Sequence, residues 1–257
     1  MFQTVALNTG LKEADSCCSW LGPCLIICLG FSLTGASKAE SFELSYLAAQ
    51  SEQQEQVRQV LVESERLEYA IEGLNQLFNL PLTIKVNVGG EQGPLHDPAQ
   101  QYINIPYEFV SGLSRLYPER EDLLDVTVFV LYHEVGHALI DLLELPVPAE
   151  LEESADGLAG LLSIELISDG GAPVLAAAGL LASRESIAAS HPWFGQAGKT
   201  SRSRKLICWV VGSDPGRLGW VAEDAGLEAG EADRCPNEYE EMRGYWVELL
   251  RPYLRRR

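Results

Sequence analysis

Two histidines four residues apart, with a glutamate next to the first, are the residues of this 257-residue chain best suited to chemistry. His133 and His137 lie in an apolar segment that predicts a buried helix, so both imidazoles project from one helix face. Two imidazoles so placed can bind one tetrahedral metal ion, and Glu134 can accept a proton from a water on that metal. The segment predicts a catalytic zinc (Zn2+) site. A hydrogen-bonded pair of core histidines is the alternative.

A catalytic zinc site needs a third protein ligand and an open position for water. The helix predicted from about residue 150 to 167 begins with acidic residues, and two of them, Glu152 and Asp156, share one helix face. We predict Glu152 as the third ligand and Asp156 as the acceptor of a hydrogen bond from a ligand histidine. Glu153 projects from a different side of that helix. An acidic helix start, which the helix dipole favours without any metal, is the alternative.

The two motifs together, His-Glu-x-x-His at 133–137 and Glu-x-x-Ala-Asp at 152–156, resemble those of the glutamate-type zincin metallopeptidases. The thermolysin and CAAX-prenyl-protease-like families are examples of that group. More closely, the chain is similar to a bacterial family of proposed secreted metallopeptidases, long catalogued as a domain of unknown function. The similarity covers about residues 80 to 250, including the segments at 102–108 and 145–148 and the two late cysteines.

This resemblance implies an α+β, zincin-like domain that is mostly helical, with a small β-sheet edge beside the helix of the two histidines. It implies a zinc cofactor, a peptide or protein substrate, and hydrolysis by a zinc-activated water with Glu134 as general base. By analogy with zincins, the predicted strand at 101–105 would pair with an extended substrate. An exported, zinc-stabilised binding protein without activity and a zinc hydrolase of a non-peptide amide are the alternatives.

The resemblance also makes His191 a candidate for stabilising the oxyanion that develops during hydrolysis. In that family an acidic pair is expected just before this histidine, whereas this chain has Ala189 and Ser190. A surface loop histidine is therefore the alternative for His191. His96 falls in a predicted turn, and we expect it at the surface.

The N-terminal segment has the pattern of a secretory signal peptide. Residues 16–37 carry no charge and end in small side chains, with a possible cut after Ala39. An uncleaved membrane anchor and a buried helix are the alternatives. We thus expect residues 1–39 as the leader and residues 40–257 as one domain, exported to the periplasm or the medium, or anchored facing outward.

A division of the chain after residue 39 places four of the six cysteines in the predicted leader. The other two, Cys208 and Cys235, are predicted to form one disulfide in the exported domain. Two buried free thiols are the alternative.

Charge limits the partners of this chain. Its 37 acidic and 19 basic residues give a formal net charge of -18. Such a balance argues against nucleic acid, against acidic substrates and against spontaneous binding to anionic membranes.

Apolar periodicity predicts the remaining elements. We expect helices at 52–79, 118–145, 150–167, 174–188 and 237–254, strands at 82–88 and 101–109, a loop at 189–204, and an apolar segment at 206–211.

Overall fold

The computed structural model describes residues 41–147, 150–183 and 199–255. The predicted leader and His191 lie outside these residues. In chain order the elements are β1 (Phe42–Tyr46), α1 (Glu52–Ser64), α2 (Arg66–Leu77), β2 (Ile84–Val88), β3 (Leu95–Asp97), β4 (Tyr102–Ile105), α3 (Tyr107–Leu113), α4 (Arg120–Leu142), α5 (Leu151–Leu166), α6 (Gly171–Ala182), α7 (Lys199–Ser213), α8 (Pro215–Asp224), α9 (Ala229–Ala232) and α10 (Cys235–Leu250). The predicted mostly helical α+β class is confirmed.

The four strands form one mixed sheet in the order β1-β2-β4-β3. β1 and β4 run parallel to β2, whereas β3 runs antiparallel to β4. Because β4 lies inside the sheet, the prediction that the strand at 101–105 has a free edge for a substrate is wrong. The edge strand next to β4 is β3, whose three residues are too few to show an alternating pattern.

Pro106 ends β4, and helix α3 begins directly after it. The predicted strand therefore does not continue to Phe109. Tyr107, Val110 and Leu113, which are buried, recur every three residues, and that spacing places them on one face of a helix.

One predicted helix and one predicted loop also differ from the structure. The helix expected at 52–79 is divided into α1 and α2 by Glu65, whose φ of 53° is left-handed and turns the chain. The loop expected at 189–204 is wrong over its described part, because α7 begins at Lys199. Two of its polar residues, Arg202 and Ser203, are buried against specific partners, and the Ser203 hydroxyl donates to the Ala178 carbonyl at 2.8 Å.

Helix α4 is the centre of the core. It contacts β3, β4, α2, α3, α5 and α6. By length and composition α4 could cross a membrane, but 89% of its most apolar stretch is buried inside the protein. Its apolar character is that of a core helix surrounded by other elements.

A disulfide joins α7 to the start of α10, which confirms the predicted pairing of Cys208 with Cys235. Both residues are buried. A bridge that closes a loop of this size contributes on the order of 3 kcal/mol by restricting the unfolded chain. The helix that carries Arg202 is thereby tied to the C-terminal helix.

A glycine allows α4 and α5 to approach each other closely. A Cβ at Gly136 would lie 3.0 Å from the Cα and 3.1 Å from the carbonyl oxygen of Ala155. Both contacts are with backbone atoms, which cannot rotate away as a flexible side chain would. Gly136 lies between the two histidines, so this contact sets how near α5 comes to them.

Gly136→Ala should therefore lower the free energy of unfolding by about 1–3 kcal/mol, because the added methyl forces α4 and α5 apart. The matched control is Gly219→Ala in α8, where a Cβ would meet nothing within 4 Å. That substitution should raise the free energy of unfolding by about 0.5–1 kcal/mol through helix propensity. Urea unfolding of both variants measures the difference, and equal stabilisation by both would contradict the packing argument.

Candidate metal centre

Side chains from α4 and α5 converge on one point. The Nε2 atoms of His133 and His137 are 3.0 Å apart. Glu152 Oε2 lies 3.5 Å from the Nε2 of His133, and Glu152 Oε1 lies 3.4 Å from the Nε2 of His137. One ligand atom from each residue falls within 4.8 Å of the others, so the three predicted ligands form a cluster that could hold a metal ion.

These separations can be compared with a tetrahedral metal site. Ligand atoms bonded to zinc at about 2.0–2.1 Å are about 3.3–3.4 Å from one another in a regular tetrahedron. The three observed distances lie around that value. In addition, Glu152 Oε2 is buried and has no hydrogen-bond partner among the described residues. A buried carboxylate oxygen left in this way is stabilised by a cation, so the residues fit a single small metal ion.

Asp156 lies behind the first histidine, as its position one helical turn beyond Glu152 predicts. The Nδ1 of His133 donates to Asp156 Oδ1 over 2.9 Å, and the His133 side chain is only 1% exposed. This hydrogen bond fixes the orientation of the ring, whose Nε2 lies next to His137 and Glu152. The arrangement is the one that metal-binding histidines commonly have.

Arg202 is a functional residue that the sequence reasoning missed. Its guanidinium binds Asp156 with two hydrogen bonds, from Nε to Oδ2 at 2.6 Å and from Nη2 to Oδ1 at 2.9 Å. Nη2 also lies 3.6 Å from Glu152 Oε2. Arg202 is 46 residues from Asp156 in sequence, in a polar segment that had been interpreted as a loop, so no local pattern indicated the contact.

The charges of this network shift the pKa of each member. Burial alone would lower the pKa of His133, but the hydrogen bond to Asp156 and the nearby carboxylate of Glu152 raise it to about 9. Burial alone would raise the pKa of Asp156, but hydrogen bonds from His133 and Arg202 lower it. The pKa of Glu152 is likewise lowered, against the effect of its burial, by contacts with the two histidines. Both carboxylates are therefore held in the charged form that a cation requires.

Glu134 is not part of the ligand cluster and has a different environment. Its side chain is nearly buried, at 4% exposure, and this burial raises the pKa of its carboxyl group. The nearby backbone of His96, on the edge strand, offsets part of this rise in pKa. A carboxylate with a raised pKa is suited to accepting and returning a proton near neutral pH.

The structure contradicts the surface position expected for His96. β3 pairs with β4 so that His96 lies opposite Ile103, which is buried against the helices. Directly paired residues point to the same face of a sheet, so the imidazole points toward α4. Its Nε2 is buried without a hydrogen-bond partner among the described residues, and burial lowers the pKa of the ring.

A cleft of about 390 Å³ opens next to the cluster. Glu134 and the three clustered residues line it, together with the residues Pro94, Leu95, His96, Pro98, Ile140, Asp141 and Leu151. Glu134 and the cluster thus face a common space that a ligand can enter. Of the predicted catalytic and ligand residues, His191 lies outside the part of the chain that the structure describes.

Comparison with protein families gives one result that bears on this site. The model of the family described as "Putative metallopeptidase" (DUF4344) matches residues 46–250. The match confirms the resemblance inferred from the two motifs. No curated protein and no solved structure matches the chain.

Arg202→Met should lower the free energy of unfolding by about 3–5 kcal/mol, because it leaves the buried Asp156 carboxylate without its cation. The matched control is Arg217→Met, which removes a 60% exposed side chain and its surface ion pairs. That substitution should change stability by less than about 0.5 kcal/mol. Urea unfolding in the presence of a chelator measures both without any contribution from bound metal. Similar losses in the two variants would show that the Arg202 network does not stabilise the fold.

Proposed function

The chain belongs to the putative metallopeptidase family, and from this premise we propose that it is a zinc-dependent peptidase that hydrolyses peptide bonds. The observation that carries the proposal is the convergence of His133, His137 and Glu152 at the separations of a tetrahedral site, beside an open cleft. The same three residues would hold the zinc ion.

Zinc is the metal that this donor set suits best. Two imidazole nitrogens and one carboxylate are the ligands of many catalytic zinc sites, which keep a further position for water or substrate. Bound there, zinc would lower the pKa of a coordinated water and polarise the scissile carbonyl group. Asp156 and Arg202 hold the His133 ring in the orientation that this binding needs.

Glu134 is the proposed general base. It lines the cleft beside the ligands, and burial raises the pKa of its carboxyl group. In our proposal this carboxylate takes a proton from the attacking water and passes it to the leaving amine. His191 remains a candidate for stabilising the oxyanion.

Two other functions were considered from the sequence. A zinc-stabilised binding protein needs neither a cleft nor a carboxylate in addition to the metal ligands, since structural zinc sites are closed by four protein ligands. The three clustered residues together with Glu134 at an open cleft favour hydrolysis. A zinc hydrolase of a non-peptide amide would use the same groups, so substrates must separate it from a peptidase.

We also propose that the protein is exported, by way of the leader at residues 1–39. The disulfide between Cys208 and Cys235 supports this location, because such bonds persist in oxidising compartments.

Glu134→Gln should keep zinc binding and lower kcat for peptide hydrolysis by about 10²–10⁴-fold, because the amide cannot accept the proton. The matched control is Glu153→Gln. Glu153 is the next residue after Glu152 on α5, and its carboxylate pairs with Lys205. This control should retain both zinc and activity. Elemental analysis gives the zinc content, and cleavage of a mixed peptide library gives the activity.

Three outcomes would contradict the proposed function. They are a wild-type protein without zinc at neutral pH, zinc-loaded wild type that cleaves no peptide in the library, or full activity in Glu134→Gln. Cleavage of cell-wall amides without cleavage of peptides would favour the non-peptide alternative.

A further inference from the structure

The cleft beside the ligand cluster has walls of a distinct chemical character. Apart from the reactive groups, apolar side chains dominate them. Pro94, Leu95 and Pro98 come from the edge-strand side, and Ile140 and Leu151 come from α4 and α5. Both walls border the point where a scissile bond would lie under the proposed function. Pockets of this kind bind an apolar group and orient it with a few polar contacts.

Leu151 is the most unusual of these wall residues. It is the first residue of α5, directly before Glu152, and it is 51% exposed. Single exposed leucines are common on protein surfaces and need no explanation. This one, however, forms a concave surface with other apolar residues beside the reactive groups. An apolar ligand group would cover it and gain the free energy of that burial.

The charges of the cleft act against acidic ligands. Asp141 lies on α4 one turn beyond His137 and lines the cleft, as does the carboxylate of Glu152. Among the described residues, neither lysine nor arginine lines the cleft. An acidic side chain bound beside Asp141 would meet a like charge with no lysine or arginine among the described lining residues to offset it, and would be disfavoured.

From these walls and charges we infer that the cleft selects an apolar, non-acidic side chain next to the scissile bond. This inference deepens the proposed function and rests on it for the identity of the substrate. Leu151 is the residue that determines the apolar preference, and Asp141 is the one that discriminates against acidic side chains. The volume of about 390 Å³, shared with the reacting groups, suits one such side chain.

A series of N-acetyl amino-acid hydroxamates tests the inference by binding. The hydroxamate group chelates zinc, so the leucine, phenylalanine, alanine and glutamate members each place one side chain beside the metal. Titration calorimetry on the zinc-loaded protein should show that the leucine and phenylalanine members bind at least about 10-fold more tightly than the alanine and glutamate members. Binding does not require turnover, so the measurement is independent of catalysis.

Two pairs of variants assign the preference to residues. Leu151→Ser should reduce the preference for leucine over alanine by about 3–10-fold. Its control, Leu82→Ser, removes a leucine of similar exposure (56%) outside the cleft and should leave the preference unchanged. Asp141→Asn should improve binding of the glutamate member by about 3-fold or more at low salt, whereas Glu72→Gln, an exposed acid on α2, should not.

Equal affinities across the series, or a preference for the glutamate member, would overturn the inference, as would identical rankings in wild type and Leu151→Ser. These results differ from a failure of the proposed function, which is judged by peptide cleavage. A ranked hydroxamate series without cleavage of any peptide would support the selective cleft and reject the peptidase. Cleavage of peptides together with equal affinities across the hydroxamate series would support the peptidase and reject the selective cleft.

Discussion

The close approach of α4 and α5 is the constraint on which the rest of the site depends. The two histidines lie on one helix and the two acids on the other, so the ligand distances are set by how near the helices come. Gly136 against the backbone of Ala155 sets that distance. Because the interior is packed as densely as a crystal, even one added methyl group would have to move a whole helix and the carboxylate that it carries.

Buried charge gives the site its second constraint. Asp156, His133 and Arg202 are each less than one-tenth exposed, and an unpaired charge at such a depth would be costly. The bidentate contact from Arg202 satisfies Asp156, which in turn orients the His133 ring. Arg202 lies on α7, which the disulfide joins to α10. The geometry of the cluster therefore rests on elements far from the histidines in sequence, and Arg202 makes the C-terminal half of the domain part of the candidate metal centre.

The edge strand links the sheet to the chemistry. β3 is short, yet it contacts α4, and Leu95 and His96 of this strand form part of one wall of the cleft. Antiparallel pairing with β4 determines which side chains face α4, and His96 faces it for that reason. The proposed base, the ligands and the selective wall thus come from three elements that meet at one edge of the sheet.

What the sequence determined by itself was local. Helical spacing put His133 and His137 on one face and Glu152 and Asp156 on another, because the period of a helix depends only on the chain between the residues. The cysteine pair was also predictable, since it followed from the predicted leader and from the two cysteines that lie beyond it. The tertiary structure alone decided the partners of Arg202, the orientation of His96 and the edge position of β3. Each of these depends on the packing of segments distant in sequence, and a polar or three-residue segment carries no periodic signal of the partner that it will meet.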